Sequence, residues 1–312
     1  MRKAFTDTLT GFARANKNIF LLTGDLGFSV FEGFKNEFPD RFYDVGVAEQ
    51  NMIGLAAGLS MSGKRVFVYS IIPFATMRCF EQIRNDLCMQ NQDVKIVGVG
   101  AGLHYGTAGS THYAAEDISI MKSLPNMKVF SPATQQETVS VFRFMATHHG
   151  PMYVRLGKAC CAQPQIKRFF MGRGVLLRNG SDISIISTGS ILSNALEAGD
   201  ILAGKGISVR LINIHTIKPI DKEIIMDAIM QTKAVFTLEE HSIIGGLGDS
   251  VAAIVAESGS GILFRKFGLP DAYPKVYGER NYMLKKYGLS SQDIVKSILK
   301  IWQSYKDGKT VL

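Results

Sequence analysis

The sequence predicts an α/β protein of two consecutive domains, each a mostly parallel sheet flanked by helices. Its 312 residues exceed the usual length of one domain, about 100–200 residues. Short apolar runs of strand type alternate with helical stretches, which indicates parallel strands covered on both faces. The alternation stops near the middle of the chain and then resumes, which indicates a second domain.

The first domain is predicted over residues 1–165. It opens with an amphipathic helix over residues 2–15, in which Phe5, Leu9 and Phe12 recur at helical spacing. Apolar strand-like runs then alternate with helical stretches that include Glu49–Ser62 and Phe80–Asn91. The predicted strands are Ile19–Leu22, Phe42–Val47, Arg65–Tyr69, Val94–Val99, Lys128–Phe130 and Met152–Arg155.

A linker is predicted over residues 166–182, where charged residues, glycine and proline follow no clear period. The second domain is predicted over residues 183–312, where the alternation resumes. Its last helix begins near Ser290, with Asp293 placed for a capping box. The other predicted elements are strands Ile183–Ser187, Ser208–Asn213 and Ala234–Leu238, and helices Ile191–Ala203, Asp221–Met230 and 249–257.

The net charge and its distribution argue against nucleic acid as a partner. The formal net charge is +8, but no run of five basic residues occurs, which argues against a nucleic-acid-binding tail. An anionic small substrate fits the charge, and solvated surface lysines account for most of it equally well.

Cysteine usage and hydropathy predict a soluble, cytoplasmic protein without a membrane partner. Cys79, Cys88, Cys160 and Cys161 match no zinc or redox spacing, so reduced thiols are expected. The N-terminus has no apolar signal core. No apolar run reaches the roughly 20 residues that a spanning helix needs.

The most informative stretch is Asp44–Gly63, in which a predicted strand leads into Glu49 at the first turn of an apolar helix. A buried carboxylate is costly unless it is paired, and a helix N-terminus stabilises it in part. From position alone, Glu49 is either a functional carboxylate or an ordinary acidic residue near a helix start.

The segment VGVAEQNMIGLAAGLS resembles the glutamate segment of the pyrimidine-binding domain of transketolase, and also that of deoxyxylulose-phosphate synthase and the pyruvate dehydrogenase beta subunit. The resemblance continues in order through nearly the whole chain. It implies a thiamine-diphosphate-binding fold followed by a transketolase C-terminal-domain fold. It also implies that Glu49 hydrogen-bonds N1′ of the cofactor's aminopyrimidine, which favours the imino tautomer that deprotonates thiazolium C2.

The segment YSIIPFATMRCFEQIRN resembles a second family motif, an aromatic residue followed by R-x-F/Y-D/E-Q-I. The match implies that Phe74 stacks on the aminopyrimidine and that Arg78 belongs to the cofactor site. Stacking requires a flat apolar face that is held rigidly. The alternative interpretation makes Phe74 and Phe80 core aromatics.

A glycine-rich loop, GVGAGLHYGTAGSTHYAAED, follows a predicted buried strand, and ligands of open α/β sheets bind at strand carboxyl ends. The loop resembles the G-x-T-H segment of transketolase, so His112 is implied to contact the substrate's reacting oxygens. The family's acidic residue four positions earlier is Ala108 here, and its second histidine is Gly100, with His104 nearby but out of register. These departures predict a substrate other than the usual pentose phosphates.

Two further matches concern substrate phosphate. MYVRLG resembles the strand end that holds a phosphate-binding arginine, which implies this role for Arg155; Ser29 of GDLGFS matches a residue that could add a hydrogen bond. In LEEHSIIGGLGDS, Glu239, Glu240 and His241 could suggest a metal site, but the family uses this domain mainly for assembly.

Thiamine diphosphate is held through Mg²⁺, and the family's signature for it is G-D-G followed later by N-N. Neither Gly24–Gly27 nor Gly248–Ser250 supplies this signature, and the chain begins at the family's second domain. The resemblance therefore implies that the diphosphate and Mg²⁺ ligands lie on an N-terminal transketolase subunit, in a heterotetramer with two active sites between subunits.

The resemblance implies transfer of a two-carbon ketol unit from a ketose, expected to be phosphorylated, to an aldose. Alternatives are deoxyxylulose-phosphate synthesis, 2-oxo-acid dehydrogenation and a non-catalytic scaffold subunit. A generic dinucleotide-binding protein would need G-x-G-x-x-G after the first strand, and GDLGFS does not supply it.

Overall fold

The computed structural model describes residues 1–158, 161 and 169–308, and within them the strands form two sheets. Cys160 and the predicted boundary between residues 165 and 166 lie outside the described residues. The strands are β1 (Ile19–Thr23), β2 (Phe42–Asp44), β3 (Arg65–Ile71), β4 (Val94–Val99), β5 (Lys128–Phe130), β6 (Met152–Leu156), β7 (Val175–Arg178), β8 (Ile183–Ser187), β9 (Val209–Asn213), β10 (Thr216–Lys218), β11 (Ala234–Ser242) and β12 (Leu263–Leu269).

Helices cover the sheets, and they follow the strands in alternation as the sequence predicts. A π-type turn over Ile83–Cys88 continues the short helix α5. No described helix is long and apolar enough to span a bilayer. The helices are α1 (Arg2–Ala15), α2 (Glu32–Glu37), α3 (Glu49–Met61), α4 (Ile72–Thr76), α5 (Phe80–Gln82), α6 (Asp117–Ser123), α7 (Gln135–Thr147), α8 (Leu192–Ala203), α9 (Lys222–Gln231), α10 (Leu247–Ser258), α11 (Arg280–Lys286) and α12 (Ser291–Lys306).

The larger sheet has the order β10-β5-β6-β4-β3-β1-β2, and the smaller one has the order β12-β11-β8-β9-β7. The pairings from β5 through β6, β4, β3 and β1 to β2 are all parallel. Every residue of β1, β4 and β6 is buried, as expected for strands covered on both faces. The predicted α/β class and the predominantly parallel sheets are therefore confirmed.

Two edge strands depart from the predicted division of the chain. Strand β7 lies inside the segment expected to be a linker and pairs antiparallel with β9. Strand β10 follows β9 in sequence, but it pairs antiparallel with β5 of the larger sheet. Both are three or four residues long, too short to show a recognisable period. The second half of the chain thus completes the first sheet, and the domain limits themselves remain a prediction.

Helix α3 is less enclosed than its composition predicts. Met52, Ile53 and Ala56 are buried against the larger sheet, whereas Leu55 is 39% exposed and Met61 is 55% exposed. Near the exposed apolar residues, Gly54 and Gly58 face open space. The helix is apolar all round, yet this chain covers only one of its faces.

A buried carboxylate of the second half joins the two halves of the chain through a hydrogen bond to Leu103. The buried Glu240 on β11 accepts hydrogen bonds from the backbone N–H of Leu103 at 2.8 Å and from Arg280 Nη2 at 2.5 Å. Burial by itself raises the pKa of Glu240, but Arg280, His104 and the Leu103 N–H outweigh it and lower that pKa. The ionised carboxylate therefore stabilises the contact between the halves.

Replacing Glu240 tests this contact. Glu240→Gln should lower the free energy of unfolding by about 3 kcal/mol, because the replacement leaves the Arg280 charge without its counter-ion. The wild-type contribution is complete above the ordinary glutamate pKa of 4.5 and is lost as the pH falls through the lower folded-state pKa. Urea unfolding between pH 7 and pH 3 should show that the free energy of unfolding falls less with decreasing pH in the variant than in the wild type. An unchanged pH profile, or an equal effect of the exposed Glu257→Gln, would contradict the assignment.

Candidate functional site

Four of the predicted site residues gather at one edge of the larger sheet, where parallel strands end. Glu49 begins α3 after β2, Phe74 lies on α4 directly after β3, and His112 lies in the loop after β4. Arg78 follows α4 and reaches back to Glu49. Because the strands are parallel, their carboxyl ends meet at this edge, which is the usual ligand-binding edge of open α/β sheets.

The Glu49 carboxylate is buried, with 1% of the residue exposed. Oε1 accepts a hydrogen bond from Ser70 Oγ at 2.9 Å, and Oε2 accepts one from Arg78 Nη1 at 2.6 Å. Gly24 keeps the space beside it open, since a Cβ there would lie 3.4 Å from Oε1. The paired hydrogen bonds and the helix N-terminus together stabilise an anion in this buried position.

The Arg78 guanidinium lies on an aromatic face. Its central carbon is 4.2 Å from the centroid of the half-buried Phe74 ring. The His112 ring meets the same phenyl ring edge-on, with 5.1 Å between centroids. Since 40% of the Arg78 side chain is exposed, solvent reaches the guanidinium. Phe74 is therefore an aromatic platform of the site and not a fully enclosed core residue.

The histidine loop explains one departure from the family pattern. Gly100 has φ +93°, and a Cβ at this position would lie 2.1 Å from the Tyr105 ring. Tyr105 therefore occupies the space of any side chain at position 100, and its ring lies 5.7 Å from that of His112. The His112 Nδ1 contacts Thr111 Oγ1 at 2.9 Å. His104 lies apart from this cluster, buried against Ser190.

Arg155 does not join this cluster, and the expected phosphate-binding role is corrected on geometry. Its side chain is 2% exposed, and Nε and Nη2 donate to Asp117 at 2.9 and 3.1 Å. Nη2 also donates to the backbone carbonyls of Ala114 and Glu240 at 2.9 and 3.3 Å. A phosphate could reach these nitrogens only by displacing a buried carboxylate. Arg155 instead fastens the histidine loop to the second half of the chain.

Ser29 and the segment Glu239–His241 lie elsewhere. Ser29 is exposed in the loop after β1, with φ +59° and its N–H donated to Glu32; its phosphate role remains a prediction. Glu239 accepts the N–H groups of Leu247 and Gly248 at the start of α10. Successive residues of a strand face opposite sides, so Glu239 and Glu240 do not converge. Among the described residues, no group of three potential ligands is placed to hold a metal.

Ser70 and Lys158 contribute to the site, although no sequence motif marks them. Ser70 holds Glu49 from the end of β3 but resembles any buried strand serine in sequence. Lys158 follows β6, and its Nζ lies 3.8 Å from the Tyr105 ring centroid. Burial and the nearby Arg2 lower the pKa of Lys158. Lys158 and Arg2 are therefore two neighbouring basic residues close to the loop that carries His112. In the sequence MYVRLGK, Lys158 follows Arg155 by three residues, so it is a second basic residue at the same strand end.

The thiol beside this site is unreactive. Cys79 is buried, and burial together with the Glu49 charge raises the pKa of its thiol to about 12. A thiol with this pKa carries almost no thiolate at neutral pH. Cys79 is therefore not a candidate nucleophile of this site.

The chain matches two family models, the transketolase pyrimidine-binding domain over residues 1–162 and the transketolase C-terminal domain over residues 172–294. It is 40% identical to a putative transketolase C-terminal section of Methanocaldococcus jannaschii, covering 96% of this chain and 95% of the relative. It is 36% identical to the 6-deoxy-6-sulfo-D-fructose transketolase subunit SqwH of Clostridium sp., covering 95% of this chain and 92% of that one. A solved split gene transketolase, an inactive beta4 tetramer, superposes with a TM-score of 0.85 at 38% identity, covering 97% of each chain.

Replacing Arg155 distinguishes an internal ion pair from a substrate contact. Arg155→Ala should lower the free energy of unfolding by about 4 kcal/mol, because Asp117 would remain buried and uncompensated. Guanidinium chloride unfolding measures the change. Lys158→Ala, an exposed cation after the same strand, is the control and should leave stability nearly unchanged. Wild-type stability of Arg155→Ala would contradict the internal role.

Proposed function

This chain belongs to the transketolase family, and we propose that with a partner subunit it transfers a two-carbon ketol unit from a ketose to an aldose, using thiamine diphosphate. The observation that carries the proposal is the buried Glu49 carboxylate beside the Phe74 platform, at the ligand-binding edge of the larger sheet. His112 shares this edge through its contact with Phe74.

The contacts of the Arg78 guanidinium indicate whether an aminopyrimidine ring could bind to these residues. It is a flat group that donates a hydrogen bond to Glu49 Oε2 at 2.6 Å while lying 4.2 Å from the Phe74 ring centroid. A pyrimidine with a protonated ring nitrogen is also flat and donates in its plane. Because the exposed Arg78 side chain can swing toward solvent, the pyrimidine can take over the same two contacts. The residues therefore fit the cofactor's ring.

Glu49 has a defined task in this assignment. When bound, thiamine diphosphate supplies a carbon nucleophile that adds to the ketose carbonyl and carries the two-carbon unit. Glu49 holds the proton shared with the pyrimidine nitrogen, and burial keeps water from competing for this hydrogen bond. Ser70 fixes Oε1, so Oε2 is the oxygen that faces the ring.

His112 and the neighbouring cations are assigned to the sugar. Thr111 engages Nδ1 of His112, which leaves Nε2 to orient hydroxyls or to move a proton at the reacting oxygens. Lys158 and Arg2 near Tyr105 supply positive charge for an anionic group at the far end of the sugar. A phosphate or a sulfonate meets this requirement, and the relative SqwH is named for a sulfonated ketose. Ala108 and Gly100 also favour a specialised sugar.

The partner is assigned as an N-terminal transketolase subunit that carries the diphosphate and Mg²⁺ ligands, in a heterotetramer. The names of the relatives support a divided enzyme, since one is a C-terminal section and another a subunit. Leu55 and Met61 are exposed on the uncovered face of α3. Phe28 and Val47, which are 75% and 70% exposed, follow the ends of β1 and β2 at the edge that holds Glu49. A subunit docked over Phe28 and Val47 would complete the site.

Removing the Glu49 charge should abolish turnover. Glu49→Gln keeps the shape and the Ser70 contact but removes the carboxylate that shares the pyrimidine proton. We expect at least a ~100-fold loss of kcat in the reconstituted complex, the scale of a lost acid–base group. Ketol transfer from a ketose to an aldose is the assay, with pyruvate tested in parallel as the donor of the alternative activities.

The matched control is Glu257→Gln, an exposed glutamate on α10 that should leave turnover unchanged. Circular dichroism must show both variants folded. Full activity of Glu49→Gln would overturn the mechanism. Activity with pyruvate but not with a ketose would overturn the substrate class alone.

Cofactor binding should depend on the partner. The isolated chain should bind thiamine diphosphate weakly even with Mg²⁺, because it contributes only the pyrimidine contacts, whereas the mixture of both subunits should bind it tightly. Isothermal titration measures the affinities, and analytical ultracentrifugation of the chain alone tests for an inactive self-association like that of the solved relative. Tight, Mg²⁺-dependent binding by this chain alone would contradict the divided site.

A further inference from the structure

A cavity lies between the two halves of the chain, apart from the Glu49 cluster. Its volume is about 370 Å³, which suits a small-molecule ligand. One wall is the segment that carries His112, through Ser110, Tyr113 and Glu116. The opposite wall comes from the second half, through the loop after β12 and the end of α11.

The cavity is acidic in a basic protein. The chain carries a formal charge of +8, yet its described lining residues include the carboxylates Glu116 and Asp271 and no lysine, arginine or histidine. No lysine or arginine among the described residues forms an ion pair with Glu116 at salt-bridge distance. Burial raises the pKa of the Glu116 carboxyl, while His241 lowers it and Asp117 makes a smaller raising contribution. A cation entering the cavity would therefore meet a carboxylate that pairs with no lysine or arginine among the described residues.

Three tyrosines contribute to the walls of the cavity. Tyr113, Tyr273 and Tyr287 line the cavity, and the Tyr273 side chain is 80% exposed. Tyrosine faces attract organic cations through the negative charge of the ring face, and the attraction is largest for weakly hydrated ammonium groups. A metal ion would need converging oxygen ligands, and the described residues hold no such group.

From these observations we propose that the cavity bounded by Glu116, Tyr113, Tyr273 and Tyr287 binds a small organic cation of the alkylammonium class. The ammonium group contacts the Glu116 carboxylate, and its carbon atoms pack on the tyrosine rings. This proposal can be tested without ketol transfer, because the measured quantity is the affinity of the chain for the cation.

The site is adjacent to the histidine loop. Ser110 and Tyr113 stand on either side of Thr111 and His112, and Tyr113 OH donates to the carbonyl of Gly106 at 2.5 Å. Tyr277 supports the loop from the second half, with its OH 3.5 Å from Ser110 Oγ. A bound cation therefore contacts the loop that carries His112 without entering the Glu49 cluster.

A matched pair of probes tests the charge requirement. Choline carries the ammonium, and 3,3-dimethylbutan-1-ol has the same shape with a neutral carbon in its place. Isothermal titration of the full chain should give choline an affinity about tenfold higher than that of the alcohol, since carboxylate and cation–π contacts both require the charge.

Two variants distinguish the contribution of the carboxylate from that of the tyrosine rings. Glu116→Gln should reduce the preference for choline to the part that the tyrosine rings contribute. Tyr273→Ala, which changes an exposed ring and leaves the core intact, should weaken choline binding about fivefold. Glu257→Gln, an exposed acid outside the cavity, should change neither affinity. Equal binding of the two probes by the wild-type chain, an undiminished preference in Glu116→Gln, or the same loss in Glu257→Gln would each overturn the proposal.

Discussion

The hydrogen bonds that hold a buried carboxylate at Glu49 are the constraint around which this edge of the larger sheet is organised. The anion is tolerated at the start of α3 because Ser70 and Arg78 donate to its two oxygens and the helix N-terminus faces it. Each donor arrives from a different element, so β3, the segment after α4 and α3 must keep their register. The Phe74 ring then lies under Arg78 and beside His112, so the ion pair borders a flat apolar wall and an imidazole.

A second set of buried charges couples the two halves. Arg155 joins Asp117 to the backbone carbonyl of Glu240, while the Glu240 carboxylate joins Leu103 to Arg280. Both pairs lie next to the loop that carries His112, so the position of this histidine depends on the second domain as well as on its own strand. This arrangement gives the C-terminal half a physical part in shaping the active edge, beyond assembly.

Exposed apolar surface and charge are unevenly distributed over the molecule. Helix α3 and the ends of β1 and β2 present apolar side chains around the Glu49 edge, as expected of a surface that another subunit covers. Basic side chains stand near Tyr105, whereas the cavity between the halves is lined by acids and tyrosines. The two regions thus present opposite charge on either side of one loop, which matches the anionic sugar and the cationic ligand that we propose for them.

The sequence by itself determined the α/β class, most strands and helices of the alternation, and the candidates Glu49, Phe74, Arg78 and His112, because these follow from local period and from motifs that are continuous in the chain. The tertiary structure decided what depends on contacts between distant residues. It assigned β10 to the first sheet, placed Arg78 between Glu49 and Phe74, filled the space beside Gly100 with Tyr105, and buried Arg155 against Asp117. A motif specifies which side chain stands at a strand end, but whether its charge faces a ligand or a buried counter-ion depends on elements tens of residues away, whose packing no local pattern records.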